Sequence, residues 1–166
     1  MSIQKQLILA LSTILSVTAA WAQTPAPAGY ISENISIGTS LDDAQKTLHA
    51  TYGKPDKATD TELIYHNKQF HHCKYDVLIF TFTDGKLSEA RFYIVKPTFS
   101  TAQQEMESIA RRIDSKWPLS KDREGKHTWF YVGGIAPSGI GHLLALHTYK
   151  TGKNYHTELR FGPFKP

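Results

Sequence analysis

The chain has 166 residues, 40% of them apolar and 20% charged, with a formal charge of +4 at neutral pH. A charge this mild, with no cluster of Lys and Arg, excludes a nucleic-acid footprint. One cysteine, Cys73, allows no internal disulfide, so the fold rests on its core.

The first 22 residues read as an export signal. Lys5 supplies the positive start, residues 7–17 form an apolar run, and Ala20-Trp21-Ala22 fits a small-x-small cleavage site before Gln23. The run falls short of the roughly 20 residues that a membrane span needs. Lipidation would require a Cys at the new N-terminus, and there is none. The expectation is a soluble periplasmic or secreted protein, cleaved after Ala22, with no membrane span in the mature chain. Removing 22 of the 166 residues leaves 144 and, with Lys5 gone, a charge of +3. That length suits one domain, which buries roughly 68–70% of its unfolded surface.

Residues 23–32, with Pro25 and Pro27 among small residues, read as a flexible leader. Asn34-Ile35-Ser36 matches a glycosylation sequon, which matters only in a eukaryotic secretory pathway. Ser40 is placed as the N-cap of a first helix, with Asp43 complementing the helix N-terminus. Leu41, Ala44, Leu48 and Tyr52 share one face, with His49 off that stripe. Gly53 supplies a left-handed stop and Pro55 forbids continuation.

Residues 61–66 read as a strand and 67–74 as an irregular polar stretch. Strands 76–82 and 88–95 form a hairpin. A two-residue Asp84-Gly85 loop would set Phe80 opposite Glu89. A three-residue loop ending at Gly85 sets Phe80 opposite Ser88 and Leu78 opposite Ala90, with Phe92 on the same face. The second choice keeps one face apolar and puts Val77, Ile79, Thr81, Glu89, Arg91 and Tyr93 on the other.

Pro97 closes this half. Ser100-Thr101-Ala102-Gln103 reads as a second capping box. Ala102, Met106, Ile109, Ile113 and Trp117 form the apolar stripe of a second helix, which Pro118 stops. Residues 119–126 read as a charged loop, and 128–132, 143–150 and 155–161 as strands, with a Gly/Pro/Ser loop over 133–141. In the last hairpin Gly152-Lys153 suits a two-residue type II′ loop. Leu146 then faces Leu159, Leu144 faces Phe161 and Thr148 faces Thr157. On the polar row His147 meets Glu158, Tyr149 meets His156 and Ala145 meets Arg160.

The fold class is therefore α+β: after the leader, one domain over 33–166 built as two tandem α-β-β-β halves, 33–97 and 98–166. Two helices pack on one face of an antiparallel sheet of about six strands.

Ile37-Gly38-Thr39-Ser40, Ala44, Leu48 and Tyr52-Gly53-Lys54-Pro55, followed by Phe80-Thr81-Phe82 and Gly85-Lys86-Leu87, resemble two-layer domains of exported bacterial proteins. These include outer-membrane-assembly lipoproteins of the SmpA/OmlA type, β-lactamase-inhibitor-like proteins, and exported bacterial proteins of unassigned function. The last group ends in a pattern like Phe161-Gly162-Pro163-Phe164. The resemblance implies a fold and non-catalytic protein binding. The missing lipid-anchor Cys and the lack of disulfides depart from the first two groups.

Three clusters carry chemistry. His71, His72 and Cys73, with His66 nearby, offer imidazole and thiolate to a metal, although neighbours on a strand point to opposite faces. The simpler reading is a polar bend beside a covered thiol. His142 and His147 fall on opposite sides of a strand and cannot chelate together. His147, His156 and Glu158 share a face, where a cross-strand polar ladder is the commoner arrangement. Ser138 lacks a nucleophile-elbow context, Gly139-Ile140-Gly141 lacks the third glycine and the strand-turn-helix context of a dinucleotide loop, and Gly133-Gly134 has no following Lys of a phosphate loop. No cofactor follows from these residues, and no catalytic set.

The third cluster is the sheet face away from the helices. With Phe130 and Val132 inward, Trp129 and Tyr131 point outward and join Tyr93, Tyr149, Arg91, Arg160 and His156. Tyr, Trp and Arg dominate binding hot spots. The sequence thus points to a non-enzymatic binding domain that engages a protein or envelope component through this face, or a second copy of itself. The alternative is a periplasmic metal-binding protein, and an enzyme of another type is a further rival.

Overall fold

The computed structural model describes residues 24–124 and 128–162. The expected signal over 1–22 lies outside the described residues, as do Pro163 and Phe164 of the tail. A short hairpin, β1 (Tyr30–Ser32) with β2 (Ile35–Ser36), leads into α1 (Leu41–Tyr52). Four strands follow: β3 (Lys57–Ala58), β4 (Glu62–Phe70), β5 (Cys73–Thr83) and β6 (Lys86–Lys96). Then comes α2 (Phe99–Ile113) and four more: β7 (Leu119–Glu124), β8 (Thr128–Gly133), β9 (Leu144–Thr151) and β10 (Asn154–Phe161).

The fold is α+β, and its main sheet is antiparallel with eight strands rather than about six, in the order β3-β4-β5-β6-β10-β9-β8-β7. Each helix is followed by four strands instead of three. The strands of each set run outward to inward, and the two sets meet where β6 pairs with β10. Of the added strands, β3 is only two residues long. β7 was expected as loop because Ser120, Lys121, Asp122 and Arg123 show no apolar row. Its backbone nevertheless pairs with β8 along its whole length, and charges on an edge strand discourage pairing with other chains.

Both helices lie on one side of the sheet. Ser40 caps α1: its hydroxyl accepts from the Asp43 amide at 3.2 Å and donates to the Asp43 carboxylate at 2.6 Å. Gly53 ends the helix at φ 81°, a conformation that costs a residue with a Cβ. Ala44 and Leu48 are buried, and the Tyr52 ring lies 5.5 Å from that of Tyr65. The cap of α2 is Thr98, not Ser100. Thr98 has the extended conformation a cap needs and accepts from the Thr101 amide at 3.2 Å, so Ser100 falls inside the first turn. Ala102, Met106, Ile109, Ala110 and Ile113 are buried. Thr157 of β10 donates to the Ala102 carbonyl at 2.7 Å, fastening α2 to the sheet.

Trp117, just past α2, is fully buried. Its ring meets Phe70, His71, Phe161 and Tyr30, and its indole N–H donates to the Tyr30 carbonyl at 3.1 Å. This contact corrects the leader. From Ala26 onward the segment is packed, because Ala26, Ile31 and Ile35 enter the core. The Ala26 amide donates to Lys116 and the Gly29 amide to Ile135.

The segment expected as irregular over 67–74 is the tip of the β4–β5 hairpin. His71 and His72, at φ 46° and 62°, form its two-residue turn. Positive φ at both loop positions matches the twist of a two-residue hairpin. Asn67 has φ 53°, and past it the burial pattern of both strands inverts. Phe70, Cys73 and Tyr75 therefore enter the core, while Val77 and Ile79 stay half-exposed on the far face.

In the β5–β6 hairpin the predicted faces hold but the pairing differs. The loop is the two-residue Asp84-Gly85, and a bulge follows, with Thr81 opposite Glu89 and Phe82 opposite Leu87. Phe80 thus meets Ala90 and Leu78 meets Phe92. The extra residue, Ser88, donates its hydroxyl to the Thr81 carbonyl at 3.1 Å. A bulge shifts every later pair by one residue, which restores the apolar face that a plain two-residue loop would lose. All six cross-strand pairs expected across Gly152-Lys153 are present in the β9–β10 register.

Candidate functional site

The side of the sheet opposite the helices carries no covering element among the described residues. At its centre, on the last strands of the two sets, Glu158 is 3% exposed at its side chain. Its burial comes from neighbours on the same face. Arg91 of β6 donates from Nε and Nη2 to the two carboxylate oxygens at 3.1 and 3.2 Å, and Tyr149 of β9 donates to the second oxygen at 2.7 Å. Two parallel bonds from a guanidinium fix orientation as well as energy.

The electrostatics follow. Burial alone would push the Glu158 carboxyl up, but the bonds from Arg91 and Tyr149 outweigh it and hold the group below the usual carboxylate range. Burial and the bond to Glu158 push the Tyr149 phenol well above its ordinary value. The Arg91 guanidinium is held more firmly protonated by its bond to Glu158. Burial also raises the Tyr93 phenol.

Around this centre runs a row of rings. His147 lies 5.3 Å from Tyr149, Tyr149 lies 5.4 Å from His156, and His156 lies 6.0 Å from Tyr93. The Arg91 guanidinium stands 5.4 Å over the Tyr93 ring. Beside it, Arg160 pairs with Glu89. Each residue reaches this row because the β6–β10 and β9–β10 registers place Tyr93 and His147 opposite Glu158, and Tyr149 opposite His156. Half-buried Ile64, Val77 and Ile79 flank the row on one side, and Phe130 and Val132 on the other. The arrangement is a stiff aromatic and imidazole surface with apolar wings.

Five of the seven residues named from the sequence are brought together here: Tyr93, Tyr149, Arg91, Arg160 and His156. Trp129 and Tyr131 are not. Tyr131 pairs with Leu146, a core-facing residue, so β8 presents Trp129 and Tyr131 to the helix side. The Tyr131 hydroxyl donates to Glu107 of α2, and Lys121 donates to the same carboxylate at 2.8 Å. Trp129 sits under Arg123, 4.3 Å from the ring centre, and Lys121, at 5.2 Å. These bonds dock the β7–β8 hairpin on α2 and leave Phe130 and Val132 on the open face.

The metal readings gain no geometry. Among the described residues no group of three or more His, Cys, Asp and Glu stands at metal-holding positions. His71 packs its ring on Phe70 and Trp117, at 4.5 and 4.8 Å, and burial lowers its pKa. The His72 carbonyl accepts from Arg112 at 2.7 Å. Cys73 is buried, and burial pushes its thiol up, away from reactivity. His66 is turned to the outer edge, where Asp56 accepts from its amide at 2.7 Å.

No helix among the described residues is long and apolar enough to cross a membrane. Comparison with protein-family models, with curated proteins and with solved structures finds no match for this chain.

Proposed function

We propose that this chain is an exported, non-catalytic binding domain that engages a protein partner through the open sheet face. The observation that carries the reading is Glu158. A carboxylate buried at the centre of an uncovered face, holding Arg91 and Tyr149, is an expensive arrangement to maintain for a surface that only meets water. It locks the row of His147, Tyr149, His156 and Tyr93 before any partner arrives, and such preorganisation lowers the entropic cost of association. Central aromatic and Arg side chains with a half-buried apolar surround match the anatomy of binding hot spots. Export rests on the sequence of the first 22 residues and on the resemblance to exported two-layer domains.

The test is a photo-crosslinking residue placed at His156, with one at Gln103 on the helix side as control. A partner adduct specific to position 156, removed by Tyr149→Ala, supports the reading. Equal labelling at both positions, or none at 156, sinks it. Self-adducts at 156 would identify the partner as a second copy of the chain.

A further inference from the structure

The β5–β6 ladder stops short of both its strands. Its last pair is Val77 with Tyr93, yet β5 begins at Cys73, still paired with β4, and β6 runs on to Lys96, still paired with β10. The sheet is therefore open along a wedge between these two strand ends. The parting lies beside the reversal of faces at Asn67, which stands opposite Asp76 in the β4–β5 register. A backbone N–H that faces such a gap needs another partner. The Val95 amide finds one in the Asp76 carboxylate, at 2.7 Å, instead of a carbonyl of β5.

Side chains make the wedge a cavity of about 330 Å³. Lys74 and Asp76 line it from β5 and Lys96 from β6. Glu105 and Arg112, about two turns apart on one face of α2, close it, and His72 stands at the hairpin tip. The charges do not balance. Lys96 pairs with Glu105 at 2.9 Å, and Asp76 is engaged by the Val95 amide. Arg112 uses Nη1 on the His72 carbonyl at 2.7 Å. Among the described residues no carboxylate stands within ion-pair distance of Arg112 or Lys74. Three fixed cations thus meet two carboxylates, both already held.

We infer that this wedge binds a phosphate group, free or carried by a small ester. A guanidinium fork and two ammonium groups around one cavity suit an anion that presents an oxygen to each. The volume stands at the lower end of ligand pockets, which leaves room for a small group attached to the phosphate. A metal ion would find no ligand set among the described residues. An apolar guest would meet little besides Ile94 and the covered Cys73. The site lies at one end of the strands, apart from the row of rings around Glu158, and stands independently of the role proposed for that face.

Isothermal titration of the full mature chain at constant ionic strength tests this, with inorganic phosphate, glycerol 1-phosphate and succinate as probes. The expected result is saturable binding of a phosphate compound, weakened about tenfold or more in Lys74→Ala and in Arg112→Gln and unchanged in Lys86→Ala at the far end of β6. The tighter of the two phosphate compounds identifies the source. Arg112 also fastens the β4–β5 tip, so Lys74→Ala, at an exposed side chain with no hydrogen bond among the described residues, decides the matter if Arg112→Gln does not fold. Absence of binding by both phosphate compounds at millimolar concentration overturns the inference, as does binding that Lys74→Ala leaves unchanged. Succinate bound as tightly as phosphate would show a general anion site and overturn the choice of phosphate.

Discussion

On the helix side of the sheet, aromatic and aliphatic side chains close over Trp117; on the opposite side, a carboxylate is buried under an arginine and a tyrosine. The first surface is held by the area it removes from water and by close packing. The second is held by directional bonds that survive only while every partner is present. The same strands carry both, since alternate residues of β6, β9 and β10 serve opposite sides. The closed side therefore resists loss of any single contact less well in energy but more simply in geometry. The open side is fragile in one residue, Glu158, and its fragility is electrostatic.

The largest expected effect lies on the closed side. Trp117→Ala should cost about 3–5 kcal/mol, because the ring joins α2, the leading hairpin, the β4–β5 tip and β10. Chemical denaturation would check it, and a loss below about 1 kcal/mol would mean that the site collapses around the cavity. Next is Glu158→Gln, expected to cost about 2 kcal/mol, the range for bonds to a charged group. Its pH dependence sharpens the contrast. The folded-state pKa of Glu158 lies below its unfolded value, so its contribution is complete above roughly pH 4.3. It is lost as pH falls through the lower folded value. The variant should therefore show a flatter acid limb than the parent, while Trp117→Ala should leave the shape of that limb unchanged.

Smaller effects on stability separate binding from folding. Tyr149→Ala should abolish crosslinking from position 156 with a loss of only about 1–2 kcal/mol. Trp129→Ala should leave that crosslinking intact, because its ring lies on the helix side; loss of capture there would place the binding surface in the α2–β8 groove instead. Smallest is Lys121→Ala, where the exposed pair with Glu107 should contribute less than about 1 kcal/mol.

How much of this was legible depended on whether a strand had one polar row. β9 and β10 do: Leu146 against Leu159 and His147 against Glu158 admit a single register, and the sequence reading matches it. β8 does not. Trp129 and Tyr131 form one row, Phe130 and Val132 the other, and both are apolar. With a long loop of unfixed geometry after Gly133, nothing in the sequence breaks the tie. The β5–β6 faces were legible, but the pairing was not, because the Ser88 bulge replaces one residue of loop with one of strand. The β4–β5 tip was missed because His71-His72 turns without glycine or asparagine, and β7 because an edge strand tolerates charge on both rows. Glu158 appeared in the sequence as one rung of a polar ladder. Its burial depends on Arg91, distant in the chain, so its central place was invisible until β6 met β10.

That meeting of β6 and β10 also sets a kinetic order. Within each set every pairing joins sequence neighbours, the longest connection being the loop between Gly133 and Leu144, and loop-closure cost grows only slowly with length. The β6–β10 pairing alone joins the sets, with Phe92 against Leu159 and Ala90 against Phe161. Long-range pairings are the slow part of folding a β protein. We predict that the two meanders form first and zip along this line last, so a truncation at Leu63, whose strand partner lies within its own set, should carry more of its cost into the folding rate than one at Leu159, which pairs both with β9 and across the line. Stopped-flow kinetics showing the reverse would place the zipper in the nucleus. Until it closes, β6 and β10 are both bare edges of half a sheet, and a chain stalled there could pair its β6 with the β10 of a neighbour.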